Sequence, residues 1–195
     1  MSKLSPLSNT EFEVNGICYF KRTANTVAVI EKTLKYSGDV IIPESVTYND
    51  VKYSVTAIED DAFYDCSGLK SVIIPDSVTE IGAYAFGGCS KLTSICIPDS
   101  VIKIGIQAFA SCRGLKSVNI PDSITEIGVM AFSDCSELTS IDVDGGNSMY
   151  CSYEGVVYSK DMKTLLLCPE ENRVHLTSPT RSLKSERMLS MIAAD

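Results

Sequence analysis

The feature that most constrains this chain is a period. Residues 71–93 read SVIIPDSVTEIGAYAFGGCSKLT, residues 94–116 read SICIPDSVIKIGIQAFASCRGLK, and residues 117–139 read SVNIPDSITEIGVMAFSDCSELT. The landmarks Pro75, Pro98 and Pro121 recur every 23 residues, as do Phe63, Phe86, Phe109 and Phe132, and Cys66, Cys89, Cys112 and Cys135. Pro43 lies 32 residues before Pro75, because the first copy carries nine extra residues around YNDVKYS. Residues 39–143 therefore hold four copies, the first with an insertion. A unit this short cannot bury its apolar side alone and must stack on its neighbours, so the period predicts a solenoid.

One coil is traced by Leu69, Val72, Ile74, Val78, Ile81, Ala85, Phe86, Cys89 and Leu92, and equivalent apolar residues follow one period later. LKSVIIP alternates as a short strand, with Leu69, Val72 and Ile74 inward and Lys70, Ser71 and Ile73 outward. Proline ends it, having no N–H to give a ladder. DSVTEIG predicts a turn, with its Asp bonded to its own backbone, and a second short extended piece. AYAFGGC predicts a single helical or 3₁₀ turn, with Gly82, Gly105 and Gly128 supplying a positive φ at the corner. The fold class expected is a β-rich α/β solenoid.

The phrase IPxSVTxIGxxAFxxCxxL resembles the BspA-like leucine-rich repeat family over residues 39–143. The resemblance implies a leucine-rich-repeat right-handed superhelix with short 3₁₀ or helical turns, flanked by β-hairpins. The flanks resemble each other: NGICYFKRTANTVAVIE from Asn15 and EGVVYSKDMKTLLLCPE from Glu154 both read Gly, two small apolar residues, Tyr, a polar turn and an apolar strand. Each predicts a hairpin. Residues 1–38 are then a cap over the N-terminal end of the stack, where exposed edges need cover, and residues 144–169 a variant hairpin module.

Residues 170–195 keep no landmark of the repeat. Their sequence, taken from Pro169 as PEENRVHLTSPTRSLKSERMLSMIAAD, can be encoded so that restoring one G after the first two bases of the Pro169 codon yields PGGKQGPFDIPDSVTEIGKNAFYDCSR. Because the first two bases of each codon dictate the last two of the shifted one, codon choice alone hardly creates the phrase. The tail is expected to be an out-of-frame fifth repeat.

A net charge of −8 and a pI near 4.7 exclude nucleic acid and anionic lipid as natural partners. No stretch approaches the ~18–20 apolar residues of a bilayer span, so no direct membrane insertion is expected, and MSKLSPLSNTEFEV lacks the apolar segment of a signal peptide. The single histidine, His175, falls in the tail, leaving no Ser-His-Asp or Cys-His constellation. The one-per-coil cysteines lack the close C-x-x-C pairs of zinc sites. Adjacent rungs at ~4.8 Å with parallel Cβ vectors exceed the ~3.8 Å Cβ separation a disulfide prefers, so buried free thiols are expected. Cys18, Cys96, Cys151 and Cys168 lie outside that ladder, Cys96 at an outward strand position. Asp76, Asp99 and Asp122 follow each proline and read as turn formers. No catalytic residue, cofactor or metal is assigned.

What remains is surface. The outward strand positions form three rows: Lys70, Thr93, Lys116 and Thr139; Ser71, Ser94, Ser117 and Ser140; and Ile73, Cys96, Asn119 and Asp142. A constant strand carrying changing side chains can fit a protein ligand, and these twelve residues are the candidate protein-binding face. The family resemblance implies a surface or secreted adhesion protein, with host matrix proteins such as fibronectin or fibrinogen, or other cells, as partners. The chain itself is expected to be a monomer or weakly self-associating. The missing signal peptide and free thiols point to an alternative, a cytoplasmic interaction scaffold.

Overall fold

The computed structural model describes residues 10–169; the fifth-repeat reading, with His175, lies outside the described residues. In chain order the strands are β1 (Glu11–Val14), β2 (Ile17–Lys21), β3 (Thr26–Val29), β4 (Ser37–Ile41), β5 (Ser45–Tyr48), β6 (Val51–Ile58), β7 (Gly68–Ile73) and β8 (Glu80–Ile81). They continue with β9 (Lys103–Ile104), β10 (Ser117–Ile120), β11 (Glu126–Ile127), β12 (Ser140–Val143), β13 (Tyr150–Tyr153), β14 (Val156–Ser159) and β15 (Leu165–Leu167). The described residues contain no helix, hence none long and apolar enough to cross a membrane.

The 23-residue period becomes parallel pairing between coils. β6, β8, β9 and β11 run side by side, matching Ile58 with Ile81, Ile81 with Ile104 and Ile104 with Ile127. The strands of the LKSVIIP phrase pair as β4 with β7 and β10 with β12, also in parallel. Between them, residues 92–97 keep the expected alternation, with Leu92, Ile95 and Ile97 buried and Cys96 exposed, but pair with neither neighbour as a strand. Phe63, Phe86, Phe109 and Phe132 stack through the core at centroid distances of 5.0, 5.2 and 5.2 Å, with ring planes within 5° of parallel. Tyr36 lies 4.7 Å from Phe63 and closes the first end of the ring stack. Its hydroxyl donates to Ile30 O and accepts from Cys18 N–H, both at 3.0 Å.

The expected helical turn is absent, and the hydrogen bonds explain why. Across residues 84–89 alternate N–H groups leave the coil: Tyr84, Phe86 and Gly88 donate to Ile106, Ala108 and Ala110 of the next one. Ala85, Gly87 and Cys89 donate back three residues, to Gly82, Tyr84 and Phe86. The left-handed residues Tyr84 (φ 53°) and Gly88 (φ 76°) bound the segment, and no right-handed helix runs through them.

The glycines also differ from expectation. Gly82, Gly105 and Gly128 do not adopt positive φ; that falls on Tyr84, Gln107 and Met130, two residues later. Glycine is required there for close approach, since a Cβ on Gly105 would sit 2.4 Å from the carbonyl carbon of Gly82. The insertion is a hairpin and not a loop: β5 and β6 pair antiparallel around Asn49 and Asp50, both at positive φ, as a two-residue hairpin turn requires.

Both flanks form the antiparallel pairs their sequences predict. These are β2 with β3 and β14 with β15; each gains a further strand ahead of the phrase, β1 turning into β2 at Asn15-Gly16 and β13 into β14 at Glu154-Gly155, all four residues at positive φ. β3 then lies parallel to β6, and Phe12 of β1 stacks on Tyr48 at 4.2 Å. At the other end Gly155 O accepts Ile141 N–H at 3.0 Å, holding the β13–β15 meander against β12.

Candidate protein-binding face

The coils are clamped from inside by side chains that fix the outward rows. Ser77, Ser100 and Ser123 each donate to a carbonyl of the preceding coil, Val55, Val78 and Val101 respectively, at 2.7 Å. The neighbouring Asp76, Asp99 and Asp122, expected to bond their own turns, are exposed and make none of these contacts; the serine holds the corner. Where the next serine would fall the chain has Gly146, and Asn147 takes over. Fully buried in the place of Val78, Val101 and Ile124, Asn147 donates to Pro121 O and Ile124 O at 2.8 and 2.9 Å and accepts from Met149 N and Tyr150 N.

The cysteine ladder is a second set of clamps. Cys89, Cys112 and Cys135 donate to the carbonyls of Phe63, Phe86 and Phe109 at 3.2, 3.1 and 3.1 Å. All eight cysteines are free. Burial pushes the Cys89 thiol up to about 12 and the Cys135 thiol to about 11, and raises Cys112 as well. Protonated and sealed, these sulfurs are neither nucleophiles nor ligands. Among the described residues no group of three or more His, Cys, Asp or Glu side chains could hold a metal.

On the outward face Lys70, Ile73, Thr93, Ser94, Cys96, Lys116, Ser117, Asn119, Thr139 and Asp142 are exposed, while Ser71 and Ser140 are half-buried. The ladders put Ser117 beside Ser140 and Asn119 beside Asp142. Ser71 donates to Asp39 at 2.6 Å, and Asn119 to Asp144 at 2.9 Å, so two of the twelve are held by acidic neighbours. Lys70 sits where the register slips between Gly38 and Asp39. Thr93 and Lys116 are tied through the backbone, Lys116 N–H to Thr93 O at 3.3 Å, and Thr139 N–H reaches Lys116 O at 2.9 Å. Ser94 and Cys96 stand on the unpaired coil between the two ladders.

Two features escaped the sequence reading. Ile41 extends the changing row by one coil: it pairs with Ile73 and is 66% exposed against 57%. Its signal was the IIP before Pro43, hidden by the insertion's disturbance of the period. On a different corner, Ile106, Val129 and Met130 are each more than half exposed, a cluster invisible while those corners were read as helical.

Parallel ladders 23 residues apart, with one face constant inside and variable outside, define a leucine-rich repeat protein, a class of protein-interaction modules. The model of the BspA type leucine rich repeat region matches residues 40–164 in six copies, and the chain belongs to that family. The match runs past Val143 into the β13–β15 meander. A leucine-rich repeat protein from Bacteroides capillosus is similar at 29% identity and a TM-score of 0.62, over 70% of this chain and 100% of that one. The T. pallidum leucine rich repeat protein TpLRR is similar at 26% identity and a TM-score of 0.54, over 67% and 70%. The pneumococcal vaccine antigen PcpA shares the fold at 20% identity and a TM-score of 0.53, over 83% of this chain and 56% of that one. No curated protein matches.

Proposed function

We propose that this chain is a non-catalytic protein-binding or adhesion module of a cell-surface or secreted protein, presented on a right-handed leucine-rich-repeat superhelix. The observation that carries the reading is the changing outward row, Ile73, Cys96, Asn119 and Asp142, on coils whose inward rows barely change. Such a surface runs from aliphatic at one end to amide and carboxylate at the other, and fits a partner graded the same way. Family membership supplies the rest, with matrix proteins such as fibronectin or fibrinogen as the ligands to try first. The test is binding of the chain to immobilised fibronectin and fibrinogen, repeated with Asn119→Arg and Asp142→Arg. A drop of about tenfold or more, ~1.4 kcal/mol, supports the face; unaltered binding removes it.

A second reading, an intracellular interaction scaffold, is favoured by the eight free cysteines, since reducing compartments keep thiols unpaired. Labelling intact cells with an impermeant amine reagent separates the two. Label on the protein supports the surface reading, and label confined to lysed cells supports the scaffold.

A further inference from the structure

We propose that the outer edge of β4 is a strand-addition site for a short extended segment of another protein, with a basic or hydroxyl residue two positions before an aliphatic β-branched one. The proposal rests on the protein-binding reading above but uses an edge of the sheet instead of its face.

The main chain shows the edge. Ile42 N–H donates to Ile73 O at 3.0 Å, so in a parallel pair Val40 and Ile42 turn their backbone groups to β7. Those of Asp39 and Ile41 then point the other way, and β4 pairs with no strand on that side among the described residues. Alongside runs a groove of about 370 Å³, lined by Gly16, Lys32, Leu34 and Lys35 together with Asp39 and Ile41. Unpaired strand edges are templates for an added strand. This one is short, ending at Pro43, which suits a short peptide motif.

Its neighbour in the ladder shows what fits. β7 places Ser71 beside Asp39, with a 2.6 Å hydrogen bond, and Ile73 beside Ile41. A strand on the open side meets the same two residues. The cations of the groove are already engaged, Lys32 with Glu13 at 2.8 Å and Lys35 with Glu31 at 3.5 Å. Asp39 makes no ion pair among the described residues and retains acceptor capacity. The uncompensated charge in the groove is therefore negative, favouring Lys, Arg, Ser or Thr beside Asp39 and rejecting an acid.

The probe is fluorescein-labelled GGLKSVIGG, the β7 strand between glycines, with GGLKDVIGG as control, titrated into the full chain by anisotropy. Amide exchange is followed at Asp39 and Ile41. The expected result is saturable binding, slowed exchange at both amides, and about tenfold weaker binding of the control. Ile41→Lys should abolish binding, and Asp39→Lys should invert the preference between the peptides, which keeps the test decisive if the first variant folds poorly. Asn119→Arg and Asp142→Arg should leave peptide binding intact, so failure of this edge and failure of the face remain distinguishable. No saturable binding, or binding without protection at Asp39 and Ile41, overturns the proposal. Slow exchange at those amides before peptide is added also overturns it: release by deleting residues 1–9 would identify the chain's own N-terminus as the occupant, and release by dilution a second copy.

Discussion

Replacing Phe109 by Ala tests the ring stack where it is most enclosed. The ring is fully buried, between Phe86 and Phe132 at 5.2 Å on either side. Deleting a buried phenylalanine costs ~3–5 kcal/mol in transfer and cavity energy, and each aromatic contact adds ~0.5–1.5 kcal/mol beyond burial. Two contacts bring the expected loss to ~4–8 kcal/mol, a large share of the ~5–15 kcal/mol that holds a domain together. Phe132 has one such contact among the described residues and is 8% exposed, so Phe132→Ala should cost ~0.5–1.5 kcal/mol less on the same reckoning. Urea unfolding followed by far-UV circular dichroism measures both. Amide exchange should place the damage on both sides of Phe109, at Phe86 N–H, which donates to Ala108, and Phe109 N–H, which donates to Ala131. Equal losses for the two variants, or a loss under ~2 kcal/mol for Phe109→Ala, would refute the continuous stack.

In the native chain iodoacetamide at pH 8 should modify Cys96, which is exposed, while Cys66, Cys89, Cys112 and Cys135 react only after unfolding; mass spectrometry of the alkylated peptides reads the pattern. Because burial raises Cys89 from the usual 9.0 to about 12 and Cys135 to about 11, the folded state keeps protons that the unfolded chain releases. Their stabilising effect is complete below pH 9 and should fall at ~1.4 kcal/mol per pH unit for each thiol above it, visible as a declining urea midpoint between pH 9 and 11. Asn147→Leu strands two buried carbonyls and two N–H groups and should cost ~2–4 kcal/mol in the same urea titration. Gly105→Ala drives a Cβ to 2.4 Å from Gly82 and should cost ~1–3 kcal/mol or more. Gly145→Ala, with nothing within 4 Å, should stay within ~0.5 kcal/mol.

The period made the ring stack and the free thiols legible, because identical residues at identical spacing have one way to meet when coils stack. The hairpins β2–β3 and β14–β15 were legible for a local reason, an apolar strand on either side of a polar turn, while β1 and β13, which turn into them at Asn15-Gly16 and Glu154-Gly155, were not. The corners were not. Gly82 was read as a source of positive φ, when the neighbouring coil, not the residue's own dihedral, excludes a side chain there. Likewise AYAFGGC has the composition of a helical turn, and only the presence of a next coil draws alternate N–H groups away. Asn147 hid best: its polarity broke the apolar pattern at the very point where it substitutes for a missing serine clamp.

That same division of labour explains how the outward face can vary. The inter-coil carbonyls are satisfied by serine hydroxyls and cysteine thiols on inward or corner positions and by backbone N–H groups, with Thr139 of the outward rows adding its hydroxyl to Lys116 O at 3.1 Å. Ile73, Cys96 and Asp142 contribute no side-chain hydrogen bond to that network, and Asn119 reaches only Asp144 at the surface. Changing them removes little buried area and no inter-coil clamp. A repeat built this way separates the residues that determine whether it folds from those that can change without unfolding it, and the exposed Ile41–Ile73 pair carries that separation into β4.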